Sequence, residues 1–215
     1  MTDANTGSAP GAAPIAVSPD NPCPFLRALV ANGYVGGHIV PLPTIAGTIE
    51  LASGEVGAGK ISVWLKTFGV AQMANGNPLK SFIAGAVLDE LRNGPLDKHG
   101  AGSRILNVEA QVQEDEITRL ATYGKDRPDG AGGVERGLNA TEIDTYMAAN
   151  MERAGAAARW YYPMLMKGEW PVLLKITGKG EGDERYLSVA EVKTLFVEKR
   201  FPDRIVARLP KPSTG

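Results

Sequence analysis

The spacing of apolar residues is the feature that most constrains the fold of this 215-residue chain. Apolar side chains recur three and four residues apart far more often than two apart, which is the period of a helix with one buried face. Residues 24–32, 61–75 and 79–93 follow this period most clearly. The pattern therefore predicts an all-α fold, a single compact multi-helix domain with little or no β-structure.

Capping signals mark where several of these helices begin. Asn77 followed by a proline is typical of an N-cap and a first helical residue, and it opens the predicted helix at 79–93. Asn139 and Ser188 each stand three residues before a glutamate. At this spacing the capping side chain and the glutamate satisfy two backbone N–H groups reciprocally. Each of these two residues is therefore predicted to open a helix.

The segments between these helices follow weaker patterns. A shorter helix is expected at 114–123, and the glycine- and proline-rich stretch 124–137 is predicted to be a long loop. Residues 170–178, with the sequence WPVLLKITG, form the one segment that suits an extended strand. Its apolar run suits a buried helical turn equally well, so both interpretations stay open.

The two capped segments also resemble the end of a calcium loop, whose last ligand is a glutamate at the twelfth position. We counted back from Glu142 and Glu191 to test this resemblance. The first two ligand positions are then occupied by Ala131, Gly133, Gly180 and Gly182. Neither loop has the oxygen ligands that a cation requires, so the sequence predicts helix capping here and neither calcium nor magnesium binding.

Composition excludes several classes of partner. Twenty-three basic against twenty-four acidic residues give a net charge of −1, so no basic surface for nucleic acid is expected. No window approaches the roughly eighteen unbroken apolar residues of a membrane span. Residues 1–19 are small and polar, without the basic start and apolar run of a signal peptide, and predict a disordered tail of a cytoplasmic protein. The domain is expected to cover 20–206, with a flexible tail at 207–215.

The only cysteine, Cys23, lies between two prolines directly before a predicted helix. Backbone N–H groups and the helix dipole favour a thiolate at such an N-cap. Nucleophilic or zinc chemistry would need imidazoles, and only His38 and His99 exist. An axial ligand of haem iron needs a single thiolate, which makes this the leading interpretation. A small buried cysteine without chemistry is the alternative.

Residues 21–35, NPCPFLRALVANGYV, resemble the N-terminal signature of the chloroperoxidase family of haem-thiolate peroxidases and unspecific peroxygenases. The resemblance continues more faintly through LDKHG at 96–100 to the closing segment that ends at 206. It implies a haem b cofactor with Cys23 as the axial iron ligand, flanked by Pro22 and Pro24. It also implies hydrogen peroxide as the oxidant and a small organic molecule as the substrate.

The catalytic residues of that family are only partly matched. Its second motif is Glu-His-Asp or Glu-Gly-Asp, and here Glu109 is followed by Ala110 and Gln111. The family's distal acid–base glutamate lies on the helix after the long loop, where this chain offers Glu152 beside Arg153. Glu152 and Glu109 are therefore the candidate catalytic residues, and weak turnover is expected. The alternative is a relative that has lost catalysis and acts as a helical binding or structural module.

Overall fold

The fold is taken from a computed structural model, which describes five stretches of the chain. They are residues 16–54, 85–93, 103–107, 109–155 and 162–211. The predicted helix at 61–75 and His99 lie outside these ranges.

Seven α-helices and five short strands make up the described part of the chain. The helices are α1 (Pro24–Ala31), α2 (Leu42–Ser53), α3 (Glu114–Tyr123), α4 (Ala140–Ala154), α5 (Tyr162–Thr177), α6 (Val189–Phe196) and α7 (Asp203–Val206). The strands are β1 (Ile39–Val40), β2 (Ala86–Val87), β3 (Lys125–Pro128), β4 (Val134–Asn139) and β5 (Tyr186–Ser188). β1 pairs with β2, and β3, β4 and β5 form a second antiparallel sheet in that order. The prediction of an all-α fold is therefore wrong, because the fold mixes helices and sheets.

The hairpin of β3 and β4 replaces the long loop predicted after α3. Its strands carry charged residues in place of alternating apolar ones, so apolar periodicity does not reveal them. The register places Asp126 opposite Arg136, and their side chains form an ion pair at 3.4 Å. At the turn, the Asp129 carboxylate accepts hydrogen bonds from the backbone N–H groups of Ala131 and Gly133. Cross-strand charge pairing and this side-chain turn stabilise the hairpin.

Residues 85–93 are the described part of the helix predicted at 79–93, and they do not form an α-helix. The chain there forms β2 and then a 3-10 turn, Leu88–Asn93. Gly85 precedes β2 with a φ of +101°, and a Cβ atom on it would lie 2.3 Å from the carbonyl oxygen of Val40. This close approach of two backbones requires glycine, so pairing with β1 overrides the helical period of the sequence.

The two helices predicted from a capping residue with a glutamate three positions later are confirmed. Asn139 Oδ1 accepts a hydrogen bond from the Glu142 N–H at 3.1 Å, and Glu142 Oε2 accepts one from the Asn139 N–H at 2.9 Å. Ser188 Oγ accepts one from the Glu191 N–H at 3.4 Å. The helix α3 has the predicted bounds. The segment from Trp170 belongs to α5, so its helical interpretation is the right one.

The helix α1 lies inside the apolar core. All of its residues from Pro24 to Val30 are buried, and it packs against α6. The Phe25 ring meets the Phe201 ring edge to face at 5.3 Å, and Asn32 Nδ2 donates to the Lys199 carbonyl at 2.7 Å. The N-terminal segment therefore packs against, and is hydrogen-bonded to, the C-terminal part of the described chain.

Core contacts extend past both ends of the predicted domain. Val17, within the expected N-terminal tail, packs against the core. Leu209, beyond the expected boundary at 206, is buried, and Arg208 donates to the Ala52 carbonyl at 3.1 Å.

Candidate functional site: two paired loops

Two helix–loop–helix units follow one another from residue 114 onward, and we refer to residues 114–206 as the paired-loop module. The first unit consists of α3, the loop that carries β3 and β4, and α4; the second consists of α5, the loop that carries β5, and α6. β4 and β5 join the loops, with Leu138 opposite Leu187. Both leucines are 1% exposed, so this pairing anchors both loops to the core.

Glu142 closes the first loop and faces a cation from the loop itself. Arg127 Nη2 donates to Glu142 Oε2 at 2.8 Å, and Arg127 Nε donates to the Gly137 carbonyl at 3.3 Å. The guanidinium carbon also lies 5.6 Å from the centre of the Tyr186 ring. Burial raises the pKa of Glu142, but the Asn139 N–H and Arg127 outweigh burial and hold this pKa below its ordinary value. Glu142 is therefore an ionised, internally neutralised carboxylate.

Glu191 closes the second loop and faces one cation from α7 and one from the loop itself. Arg204, on α7, donates from Nε to Glu191 Oε1 at 3.0 Å and from Nη2 to Glu191 Oε2 at 2.5 Å. Lys179 Nζ lies 3.7 Å from Glu191 Oε1. Arg204 also donates to the carbonyl of Thr177, the last residue of α5. One arginine therefore ties α7 to both sides of the second loop.

A third carboxylate, Glu135, connects the two loops. It accepts hydrogen bonds from Lys179 Nζ at 2.5 Å, from the Tyr186 hydroxyl at 2.8 Å and from Ser188 Oγ. Burial raises the pKa of Glu135, but these three donors outweigh burial and lower it below its ordinary value. Burial, followed by the Glu135 carboxylate, raises the pKa of Tyr186 to about 12. These contacts between the loops fully engage the Glu135 carboxylate.

In the first loop a side-chain cation contacts two positions that supply ligands in a calcium loop. In such a loop the seventh residue offers its carbonyl and the twelfth its carboxylate. Counted from Ala131, these positions are Gly137 and Glu142, and Arg127 donates to both. Within the described ranges, no group of three or more histidine, cysteine, aspartate or glutamate side chains is arranged to hold a metal ion.

Cys23 lies at the predicted place, the N-cap of α1, with Pro24 as the first helical residue. Cys23 and Pro22 are half-buried, Pro24 is buried, and the cysteine packs against the apolar core. This position at the positive end of a helix favours a thiolate.

The predicted distal residues lie on the surface. Glu152 and Glu109 are both exposed. Glu109 stands in a turn in which its N–H donates to Asn107 Oδ1 at 3.0 Å. Arg153, the neighbour of Glu152 in the sequence, makes two hydrogen bonds to the Glu116 carboxylate, at 2.6 and 2.9 Å. Solvent therefore surrounds both candidate carboxylates.

His38, the other candidate base, is also at the surface. Its side chain is 86% exposed, and Nδ1 lies 2.8 Å from Asp89 Oδ2. The hydrogen bond from His38, a further hydrogen bond from Ser18 and the charge of His38 lower the pKa of Asp89. This surface pair links the residue before β1 to the turn after β2.

An open cleft of about 450 Å³ lies beside the second loop, between the start of α4 and the C-terminal half of α5. Two basic and two acidic side chains line it: Lys175, Arg185, Asp183 and Glu184. The cleft therefore favours neither anions nor cations, and Cys23 and the two predicted distal glutamates are not among its lining residues.

Comparisons with protein-family models, curated proteins and solved structures give no match for this chain. The resemblance of residues 21–35 to haem-thiolate peroxidases therefore stays a prediction. In the part of the chain that the structure describes, no helix has the length and apolarity needed to cross a membrane.

Sequence reasoning missed Arg127, Glu135 and Arg204. For the first two a signal existed, because charges of opposite sign flank the glycine-rich turn at a spacing suited to cross-strand pairs. For Arg204 there was none, because its partner Glu191 belongs to another helix.

Proposed function

We propose that the paired-loop module is a metal-independent pair of EF-hand-like units that serves as a binding or structural module without catalysis. Helix, loop and helix occur twice, as in the EF-hand motif, and short strands from the two loops pair with each other. The observation that supports this proposal most is that Arg127 donates to both the Gly137 carbonyl and the Glu142 carboxylate. The guanidinium supplies the positive charge that an EF-hand takes from calcium.

Neutralisation of the loop carboxylates by side chains of the protein determines how such a module responds to calcium. A calcium sensor changes shape when the ion arrives at its acidic loop. Here Arg127, Lys179 and Arg204 already neutralise the carboxylates that close and connect the loops. The module therefore keeps one arrangement at every calcium concentration, which suits a constitutive scaffold.

Thermal unfolding of the full-length chain tests this proposal. We expect the Tm in EGTA and in about 1 mM calcium to agree within about 1 °C, because an ion that does not bind the folded state adds no stability. Magnesium at the same concentration controls for ionic strength. A rise of about 3 °C or more that is specific to calcium would contradict metal independence.

A haem-thiolate peroxidase is the second candidate, and the position of Cys23 favours it. The proximal side fits a thiolate ligand, because the half-buried residue Cys23 lies at the positive end of α1 between Pro22 and Pro24. Bound haem would supply the chemistry of peroxide cleavage and substrate oxidation. Cys23 would hold the iron, and the N-terminus of α1 would stabilise the thiolate. The exposed Glu152 and Glu109 provide no enclosed acid on the distal side.

Haem reconstitution of the full-length wild type and of Cys23→Ser tests the second candidate. A thiolate-type spectrum in the wild type and its loss in the variant, with unchanged helical circular dichroism, would support it. The same haem spectrum in both proteins, or no bound haem in the wild type, would eliminate it.

A further inference from the structure

We propose that Asn32 is a deamidation site whose conversion to aspartate releases residues 199–209, the C-terminal segment, from α1. Asn32 is the C-cap of α1, and Gly33 follows it in the sequence. In an asparagine–glycine pair the glycine nitrogen can attack the side-chain amide carbon, because glycine has no side chain to hinder the approach. The site is independent of the function proposed above.

The reaction consumes only water. The Gly33 nitrogen forms a bond to Asn32 Cγ, and the bond between Cγ and Nδ2 breaks. The proton of the glycine nitrogen leaves with the side-chain amide as ammonia. Water then opens the resulting succinimide ring, which yields aspartate or isoaspartate.

The Asn32 amide joins α1 to the C-terminal segment. Its Nδ2 donates to the Ala28 carbonyl and to the Lys199 carbonyl, both at 2.7 Å. An ionised aspartate has only acceptor oxygens, so after deamidation a carboxylate would face both carbonyls. The new negative charge would also lie at the negative end of the helix. The deamidated chain therefore cannot restore this link.

The link holds a strained residue in place. Lys199 has a φ of +51°, a left-handed value that is unfavourable for a residue with a Cβ atom. Such a conformation persists only where surrounding contacts hold it. Further along the segment, Arg204 on α7 binds Glu191. Loss of the Asn32 amide should therefore loosen the C-terminal segment and, with α7, the second loop.

In the folded protein the same contacts slow the reaction. The Gly33 N–H donates to the Val30 carbonyl at 3.0 Å, so the attacking nitrogen keeps its proton. The two hydrogen bonds of Nδ2 also fix the Asn32 side chain. Attack therefore requires local opening of this end of α1, and the rate of conversion follows the population of the open state.

Peptide mass spectrometry of the full-length protein at about pH 8 measures the conversion of Asn32. In the folded wild type we expect conversion at least about tenfold slower than in the same chain unfolded in urea. Lys199→Gly should slow it by about fivefold more, because glycine adopts the left-handed conformation without strain. Lys199→Val should accelerate it by about fivefold, because a β-branched residue adopts that conformation least readily.

Asn32→Asp reproduces the product. Its Tm should be about 4–8 °C lower than that of the wild type, because two hydrogen bonds are lost and two carbonyls face a charge. Trypsin should also cut after Arg204 several-fold faster, because the loosened segment opens more often. Asn32→Ser is the matched control, since it removes the amide without adding a charge, and it should lose about half as much Tm.

Equal conversion in the folded and the unfolded wild type overturns the proposal, as does a rate that neither Lys199 variant changes. If Lys199→Val does not fold, the rate in Lys199→Gly decides alone. An Asn32→Asp protein that is no less stable than Asn32→Ser, or that resists trypsin like the wild type, also overturns it. If Asn32→Asp does not fold, converted and unconverted chains in aged wild type are compared by the same trypsin digestion, with the same two outcomes.

Discussion

The two loops of the paired-loop module reach the same electrostatic result with cations of different origin. In the first, Arg127 belongs to the loop whose closing glutamate it neutralises. In the second, Arg204 comes from α7, thirteen residues after Glu191. The first loop therefore closes through contacts within its own unit, whereas the second depends on the docking of the C-terminal helix. The difference indicates that loop closure needs positive charge at the glutamate and tolerates different sources for it.

Both loops nevertheless share one apolar anchor, and its removal should have the largest effect. Leu187→Ala should lower the free energy of unfolding by about 3 kcal/mol, because a fully buried leucine leaves a cavity where β4 meets β5. Urea denaturation measures this change. Val134→Ala, at a β4 position that is 75% exposed, should cost less than about 0.5 kcal/mol. Equal losses in the two variants would show that the leucine pair is not the common anchor.

The next largest loss of stability is expected when the contact between the second loop and α7 is removed. Arg204→Ala should destabilise the protein by about 2 kcal/mol, because Glu191 loses two charge-assisted hydrogen bonds. This is less than for a fully buried pair, since the side chains are 28% and 17% exposed. Arg200→Ala, which removes only surface ion pairs, should stay within about 0.5 kcal/mol of the wild type. If both variants lost the same stability, closure of the second loop would not require α7.

The smallest effect is expected in the pH dependence of stability that the first loop contributes. The pKa of Glu142 is lowered in the folded state, so its ionised form contributes stability above the unfolded pKa of about 4.3. That contribution is lost as the pH falls through the lowered folded value. Between about pH 5 and pH 3, the free energy of unfolding of Glu142→Gln should therefore fall less than that of the wild type. The difference between the two losses should be under about 1 kcal/mol.

Urea midpoints at several pH values in that range measure this difference. Glu152→Gln, on the exposed side of the same helix, should behave like the wild type. Parallel curves for the wild type and Glu142→Gln would mean that Arg127 does not stabilise the ionised carboxylate.

The sequence predicted local features well. The bounds of α3, the capping box of Asn139 and Glu142, and Cys23 at the N-cap of α1 all follow from residues within a few positions of one another. Such patterns fix a helix start because the groups that satisfy its free N–H groups are its own neighbours. The hairpin of β3 and β4 was missed because its strands carry charges, and β2 because glycine packing against β1 decides that pairing.

By itself, the sequence determined where α1, α3, α4 and α6 start and that Glu142 and Glu191 stand three residues after their caps. Only the tertiary structure decided which cations meet these carboxylates. A cap and its glutamate share one turn of helix, so their spacing encodes their contact. Arg204 and Glu191 lie on different helices, and their contact depends on how α7 packs against the module. No spacing rule encodes that packing, so the neutralisation of both loops became visible only in the folded chain.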